Sequence, residues 1–178
     1  MNSESPRHLV LIGLMGAGKS TVGEGCAARL RRPFVDTDDL VLALTGKSIS
    51  EIFRDGGEEQ FREVERRAVA DACASPAPLV IACGGGAVLD PSNRRLLRAS
   101  GFVVWLRATA SELATRVQRQ QRERPLLPSA GEEAELERLS ELREPAYEAT
   151  AHVSVDTGGR SVDEVVDTVL EELDRCAA

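Results

Sequence analysis

Aromatic residues are scarce in this chain, at 3% of 178 residues. A core must therefore be built mainly from Ala, Val, Leu and Ile, within an apolar fraction of 42%. Lysine is scarcer still. Lys19 and Lys47 are the only two among 22 lysines and arginines, so a lone arginine means little while Lys19 stands out. No basic run or basic–aromatic stripe is present and the net charge is −7, which sets nucleic acid and anionic membrane surfaces aside as partners. The four cysteines, Cys26, Cys73, Cys83 and Cys176, form no CxxC pair and no metal spacing, and read as reduced thiols. No apolar run has transmembrane length, and the opening MNSESPRH lacks the apolar core of a signal peptide, so a cytoplasmic location is expected. The length suits one domain over 1–178, long enough to bury about two-thirds of its unfolded surface without a disulfide or metal staple.

Short β-rich runs alternate with amphipathic helical stretches, the signature of parallel βα units. The strands are expected at 8–13, 33–36, 78–83, 102–107 and 152–156. Runs such as Leu79–Ala82 and Phe102–Leu106 are apolar throughout, as strands covered on both faces require. Helix starts are marked by the capping-box patterns SISE (48–51), TASE (109–112) and SVDE (161–164), and by Asp90 before Pro91. A further helix is expected over 57–74, with Phe61, Val64, Ala68 and Val69 on one face. One polar, Arg-rich segment, QRQQRERPLLPSAGEEAE (118–135), breaks this rhythm. It reads as a solvated linker or as a lid over about 118–131, since long loops in compact domains are often functional.

Directly after the first strand comes GLMGAGKST, Gly13 to Thr21, which fits G-x-x-x-x-G-K-[ST] between a strand and a helix. The glycines let successive N–H groups turn inward on phosphate oxygens, and the following helix adds its positive end. Gly16, Ala17, Gly18, Lys19, Ser20 and Thr21 are the expected nucleotide-binding residues. Lys19 supplies the point charge, and the Ser20 hydroxyl can ligate Mg²⁺. The second strand runs into three carboxylates, FVDTDDL. If strand geometry persists, Asp36 and Asp38 share one side of the chain, at the same sheet edge as the cradle. Asp36 is then the second metal-side ligand beside Ser20, and Asp38 reaches an acceptor hydroxyl. Asp39 points away. Without the phosphate cradle, all three would read as ordinary helix-capping acids.

Taken in order, LIGLMGAGKSTVG, FVDTDDL, GEEQFREVE, GGGAV, RPLL and LREPAYEATAHVSVDT resemble the bacterial shikimate kinases, from about His8 to the last helix. The first motif is common to many P-loop kinases; the others together are far more specific. The resemblance implies an α/β three-layer P-loop kinase fold: a five-stranded parallel sheet, order 2-3-1-4-5, flanked by helices, with a mobile lid. It implies transfer of the γ-phosphate of ATP to the 3-hydroxyl of shikimate, with Mg²⁺, on the route to chorismate and the aromatic amino acids. The substrate-binding region would lie over about 36–66. Asp38 would bind or deprotonate the acceptor hydroxyl, making Lys19, Asp38 and Arg124 the catalytic set. Arg62 and Arg143 would clamp the substrate carboxylate, and Gly84, Gly85 and Gly86 would bring backbone close to it. Arg124, from RPLL, would reach the transferring phosphate. Arg116 resembles an adenine-stacking arginine, Phe53 and Phe61 would wall the pocket, and Glu58 and Glu65 would hold the arginines. A monomer binding only shikimate and ATP is expected.

The clamp makes chemical sense, because a planar guanidinium grips a carboxylate in two bonds where an ammonium offers a point charge. Each arginine alone reads as a surface charge, and the motifs reverse that. Cys83 departs from the family, where many members have threonine before the glycines; it would serve poorly if that hydroxyl orders water near a metal. His8 and His152 open strands and read as structural. A gluconate or nucleoside monophosphate kinase would share the cradle and lid but not all the later motifs. A nucleotide sensor would be expected to lack one of Lys19, Ser20, Asp36, Asp38 or Arg124, and all are present.

Overall fold

The computed structural model describes residues 8–123 and 132–177, with side chains described for 8–119 and 133–177. The expected strands all form: β1 (His8–Ile12), β2 (Phe34–Asp36), β3 (Val80–Ala82), β4 (Gly101–Arg107) and β5 (Val153–Asp156). They make one parallel sheet in the order β2-β3-β1-β4-β5. The centre of the sheet is dry. Leu9, Val10, Leu11, Val80, Ile81, Val103 and Val104 are completely buried, as unbroken apolar runs demand of strands covered on both faces. Helices α1 (Lys19–Leu30) and α7 (Val162–Ala177) pack on each other, with Val166 facing Gly25. Helices α4 (Pro91–Ser100), α5 (Ala110–Glu123) and α6 (Glu132–Thr150) contribute Leu97, Leu113, Leu136 and Tyr147 to the same core.

The helix starts follow the sequence signals. Ser48, Thr109 and Ser161 each accept from the N–H three residues on, while Glu51, Glu112 and Glu164 accept from the cap's own N–H. Asp90 accepts from Ser92 N–H at 2.7 Å, with Pro91 in the first turn. Two helices run together in α3 (Ile49–Cys73), broken only where Gly57 takes φ 71° and ψ −169°. The capping box at 48–51 and the helical pattern from 57 are thus one bent element. It carries a small second core of Val41, from α2 (Thr37–Thr45), with Ile52, Phe61 and Ala68.

One boundary and one geometric expectation differ from the sequence reading. The polar segment is helical at both ends: α5 continues to Glu123, and α6 begins at Glu132. Gln118 to Glu123 are all good helix formers, and no proline intervenes before Pro125, so propensity carries the helix past the apolar pattern. The remainder of the expected lid, and Arg124 with it, lies outside the described residues. Second, strand alternation does not bring Asp36 and Asp38 together. β2 stops at Asp36 and a helix begins, with Asp36 as its cap accepting from Asp38 N–H at 3.0 Å. The two carboxylates converge because one caps the turn that presents the other. The capping and the functional reading of Asp36 are therefore compatible.

Candidate active site

All parallel strands end at one edge, and the loops leaving β1, β2 and β3 surround a cavity of about 450 Å³ there. Gly16, Gly18, Lys19, Ser20 and Thr21 line its floor; Asp36, Asp38, Arg62, Cys83, Gly84, Gly85, Gly86 and Arg143 line the rest. Ala17 faces a second cavity instead, described below. Gly18 sits at φ 90°, a left-handed position that a side chain would strain, and from it α1 starts with its N–H groups aimed at the cavity. Lys19 Nζ donates to Leu14 O at 2.9 Å, so the cradle folds back on its own lysine. Burial pulls the Lys19 pKa down against the raising pull of Asp36 and Asp38. Ser20 Oγ donates to Asp36 Oδ2 at 2.8 Å, and the pair forms one oxygen-rich corner of the floor.

Asp38 faces this corner. Its pKa is raised, first by burial and then by Asp36, with Lys19 opposing. A carboxylate pushed up in this way is a better proton acceptor than a free one. Arg62 lies across the cavity, donating to Glu65 at 2.7 Å and to Glu58 at 3.2 Å. Glu65 is almost fully buried, and burial raises its pKa while Arg62 opposes the rise. Glu58 and Glu65 were expected to hold both arginines; among the described residues they bond Arg62 and not Arg143. Phe61 lines the cavity, with the Arg62 guanidinium carbon 5.2 Å from its ring centroid. Phe53 does not line it; its ring stacks on Phe61 at 4.8 Å.

Space explains Gly84 and Gly86 of the triple glycine. None of the three has a positive φ. A Cβ on Gly84 would lie 2.7 Å from Asp38 Oδ1, and one on Gly86 would run into the Arg62 guanidinium. A side chain at Gly84 or Gly86 would displace the Asp38 carboxylate or the Arg62 guanidinium. Thr37, which sequence reasoning missed, pins the loop: its buried hydroxyl accepts from Gly84 N–H at 2.9 Å. Cys83 is buried beside the loop, and burial raises its pKa well above the usual thiol value, so it remains a neutral thiol rather than a thiolate. Tyr147 was also missed, although LREPAY places it one helical turn from Arg143. Its hydroxyl donates to Gly85 O at 2.6 Å.

Arg116 is brought to the cradle from α5. It donates to Thr157 O at 2.7 Å, to Thr157 Oγ1 at 2.9 Å and to Gly16 O at 3.3 Å. With Ala17, Thr21, Arg160 and Val162 it borders the second cavity, about 280 Å³, on the far side of Gly16 and Gly18. The geometry thus provides a phosphate cradle with a pocket on either side: one partly apolar, the other lined by carboxylates and arginines.

A family model described as shikimate kinase matches residues 15–174. That span is nearly the whole chain. The chain belongs to the shikimate kinase family. Among curated relatives, a shikimate kinase of Burkholderia thailandensis is 43% identical over 98% of this chain and 94% of its own length. Among solved structures, the shikimate kinase from Acinetobacter baumannii in complex with shikimate has a TM-score of 0.88 at 34% identity, covering 97% of this chain and 95% of that one. A gluconokinase from Sinorhizobium meliloti is more distant, with a TM-score of 0.60 at 27% identity over 98% of this chain and 95% of that one. By identity and TM-score the chain is thus more similar to these shikimate kinases than to the gluconokinase.

Proposed function

We propose that this protein transfers the γ-phosphoryl group of ATP to the 3-hydroxyl of shikimate, giving shikimate 3-phosphate and ADP for chorismate and aromatic amino acid synthesis. The observation that carries the reading is the meeting, in one cavity, of a phosphate cradle, a raised-pKa carboxylate and two arginines. A small carboxylated polyol needs all three: a cationic clamp at one end, a proton acceptor at the other, and phosphate between.

Gly16 to Thr21 hold the nucleotide phosphates through backbone N–H groups, with Lys19 as their charge. Binding an anion there relieves Lys19 of its buried, self-satisfied state, because its Nζ exchanges the Leu14 carbonyl for phosphate oxygens. Ala17, Arg116 and the cavity beside them take the base end. Arg62 and Arg143 grip the acceptor carboxylate while Gly84–Gly86 let the ring lie against backbone. Asp38 orients the acceptor hydroxyl and takes its proton as that oxygen bonds to the γ-phosphorus, while the bond to the ADP oxygen breaks. Arg124 is assigned to the transferring phosphate by its place in RPLL.

The Ser20 hydroxyl and the Asp36 carboxylate fit a Mg²⁺ ion: both are hard oxygen donors, adjacent at the floor of the cradle. Among the described residues no group of three or more His, Cys, Asp or Glu side chains could hold a metal ion. Bound there, Mg²⁺ would neutralise charge on the β- and γ-phosphates during transfer. We read the chain as one domain acting as a monomer in the cytoplasm; among the described residues no helix is long and apolar enough to cross a membrane.

The test is ADP release by the purified protein with Mg²⁺ and ATP, in the presence of shikimate, gluconate or AMP. Stimulation by shikimate alone is expected. Stimulation by gluconate or AMP instead, or ATP binding with no acceptor-dependent turnover, would overturn the reading.

A further inference from the structure

We propose that Tyr147 is a positioning residue for the acceptor: its hydroxyl holds the Arg143 guanidinium and the Gly85 peptide in one register, so that clamp and glycine loop meet the same ligand. The inference rests on shikimate being the acceptor.

The two arginines of the cavity are held differently. Arg62 has Glu58 and Glu65 as partners. Among the described residues Arg143 has no carboxylate salt-bridge partner and its buried Nε has no hydrogen-bond partner. A long, charged side chain without an anchor would have to be ordered by the ligand, at the ligand's expense in affinity. Tyr147, one turn further along α6, supplies an anchor. The Arg143 guanidinium lies against its hydroxyl and opposes the burial that pushes the phenol up to about 12. The hydroxyl therefore stays protonated across the working pH range and keeps donating to Gly85 O, at 2.6 Å.

Gly85 lies at the same point. A Cβ on it would lie 3.4 Å from Arg143 Nη1, 3.4 Å from Gly13 O and 3.7 Å from Met15 N. The Gly85 peptide is thus the place where the β3 loop, the phosphate cradle and α6 touch, and the Tyr147 hydroxyl is the polar group that ties the last of these to the first. The ring itself cannot drift. It is 1% exposed and stacks on Trp105 with centroids 5.4 Å apart. On β4, Trp105 is in turn faced by the Arg107 guanidinium at 4.5 Å, and Arg107 pairs with Glu144 of α6. A rigid, buried ring carrying one hydroxyl to a substrate loop is how a supporting residue fixes the residues that do the binding.

The test compares the unaltered protein with Tyr147→Phe, which keeps the ring and removes only the hydroxyl. Steady-state kinetics are measured with shikimate varied and with ATP varied, alongside Tm. The expected result is a rise of roughly five- to thirty-fold in KM for shikimate, the loss of one buried hydrogen bond, with KM for ATP unchanged. Trp105→Phe, which loosens the packing but keeps the hydroxyl, supplies the structural baseline: it should lower Tm without singling out shikimate. In an Arg143→Ala background the Tyr147→Phe change should lose most of its effect. Unchanged KM for shikimate, equal rises for both substrates, or full additivity with Arg143→Ala would each overturn the assignment of Tyr147. Failure of the unaltered protein to phosphorylate shikimate would instead remove the acceptor reading, and this inference with it.

Discussion

The two edges of the sheet solve the problem of buried polar groups in opposite ways. At the amino edge, His8 is fully buried yet satisfied on both nitrogens, accepting from Leu79 N–H at 3.0 Å and donating to Cys73 O at 3.2 Å. It ties the end of α3 to the start of β3 as a neutral linker. At the carboxyl edge, Lys19, Asp38 and Glu65 all have pKa values displaced against their charged forms, and Arg143 keeps an unpartnered nitrogen. The first edge is at rest. The second is strained in a way that phosphates and a carboxylate would relieve, and this contrast locates the site independently of any motif.

The sharpest way to test that contrast is to remove the displaced carboxylate. Asp38→Asn keeps the shape and deletes the proton acceptor, so turnover should fall by about 10²–10⁴-fold while ATP affinity stays near normal. Isothermal titration with ATP beside a coupled ADP assay measures both, and retained turnover would take Asp38 out of its role. In the unaltered protein, turnover should rise with pH through a value above that of a free aspartate, since burial and Asp36 raise Asp38 and only its ionised form accepts the proton. Arg143→Ala comes next in size. Losing a charged hydrogen bond should weaken shikimate binding roughly ten- to hundred-fold and leave ATP binding nearly intact. Equal losses for both ligands would show that the arginine holds the fold rather than the carboxylate.

Much of the carboxyl edge was legible in the sequence because its chemistry is local. Gly13–Thr21 is one contiguous cradle, the capping boxes are four-residue signals, and the strands are largely apolar runs. Asp36 and Asp38 were expected to meet through strand alternation; β2 ends at Asp36, where the sequence reading ends it, and a helix cap joins the two instead. Thr37 and Tyr147 stand inside FVDTDDL and LREPAY but were not read as site residues, because their partners, Gly84 and Gly85, are far away in sequence. The amino edge was legible only as a pair of structural histidines. What each histidine bonds follows from strand register and from the end of α3, neither of which the sequence spells out.

Breaking the amino edge should therefore cost stability and spare chemistry. His8→Leu fills the space but leaves Leu79 N–H and Cys73 C=O unpaired in a dry environment, at about 1–3 kcal/mol for each group. Denaturant unfolding should show the loss, while kcat per folded molecule stays unchanged. A fall in kcat at full folding would mean that the two edges are coupled through α3.

The smallest effect should come from His152, the exposed counterpart of His8. Its Nδ1 accepts from Val103 N–H at 2.9 Å, a bond that only the neutral ring can make on that nitrogen. Desolvation, then Arg98, lowers its pKa from 6.5. The unfolded chain therefore binds the proton more readily than the folded one. The contribution of His152 is complete above about pH 6.5 and disappears as pH falls through its lowered folded value. Because the ring is exposed to solvent, the slope should be shallow. Midpoints of urea unfolding between pH 5 and 8 for the unaltered protein and His152→Gln would measure it: the two curves should run parallel above neutrality, with the slope that His152 adds absent from the variant in acid. Identical curves throughout would place the ring's proton outside the folding equilibrium and leave His8 alone as the polar linker of that edge.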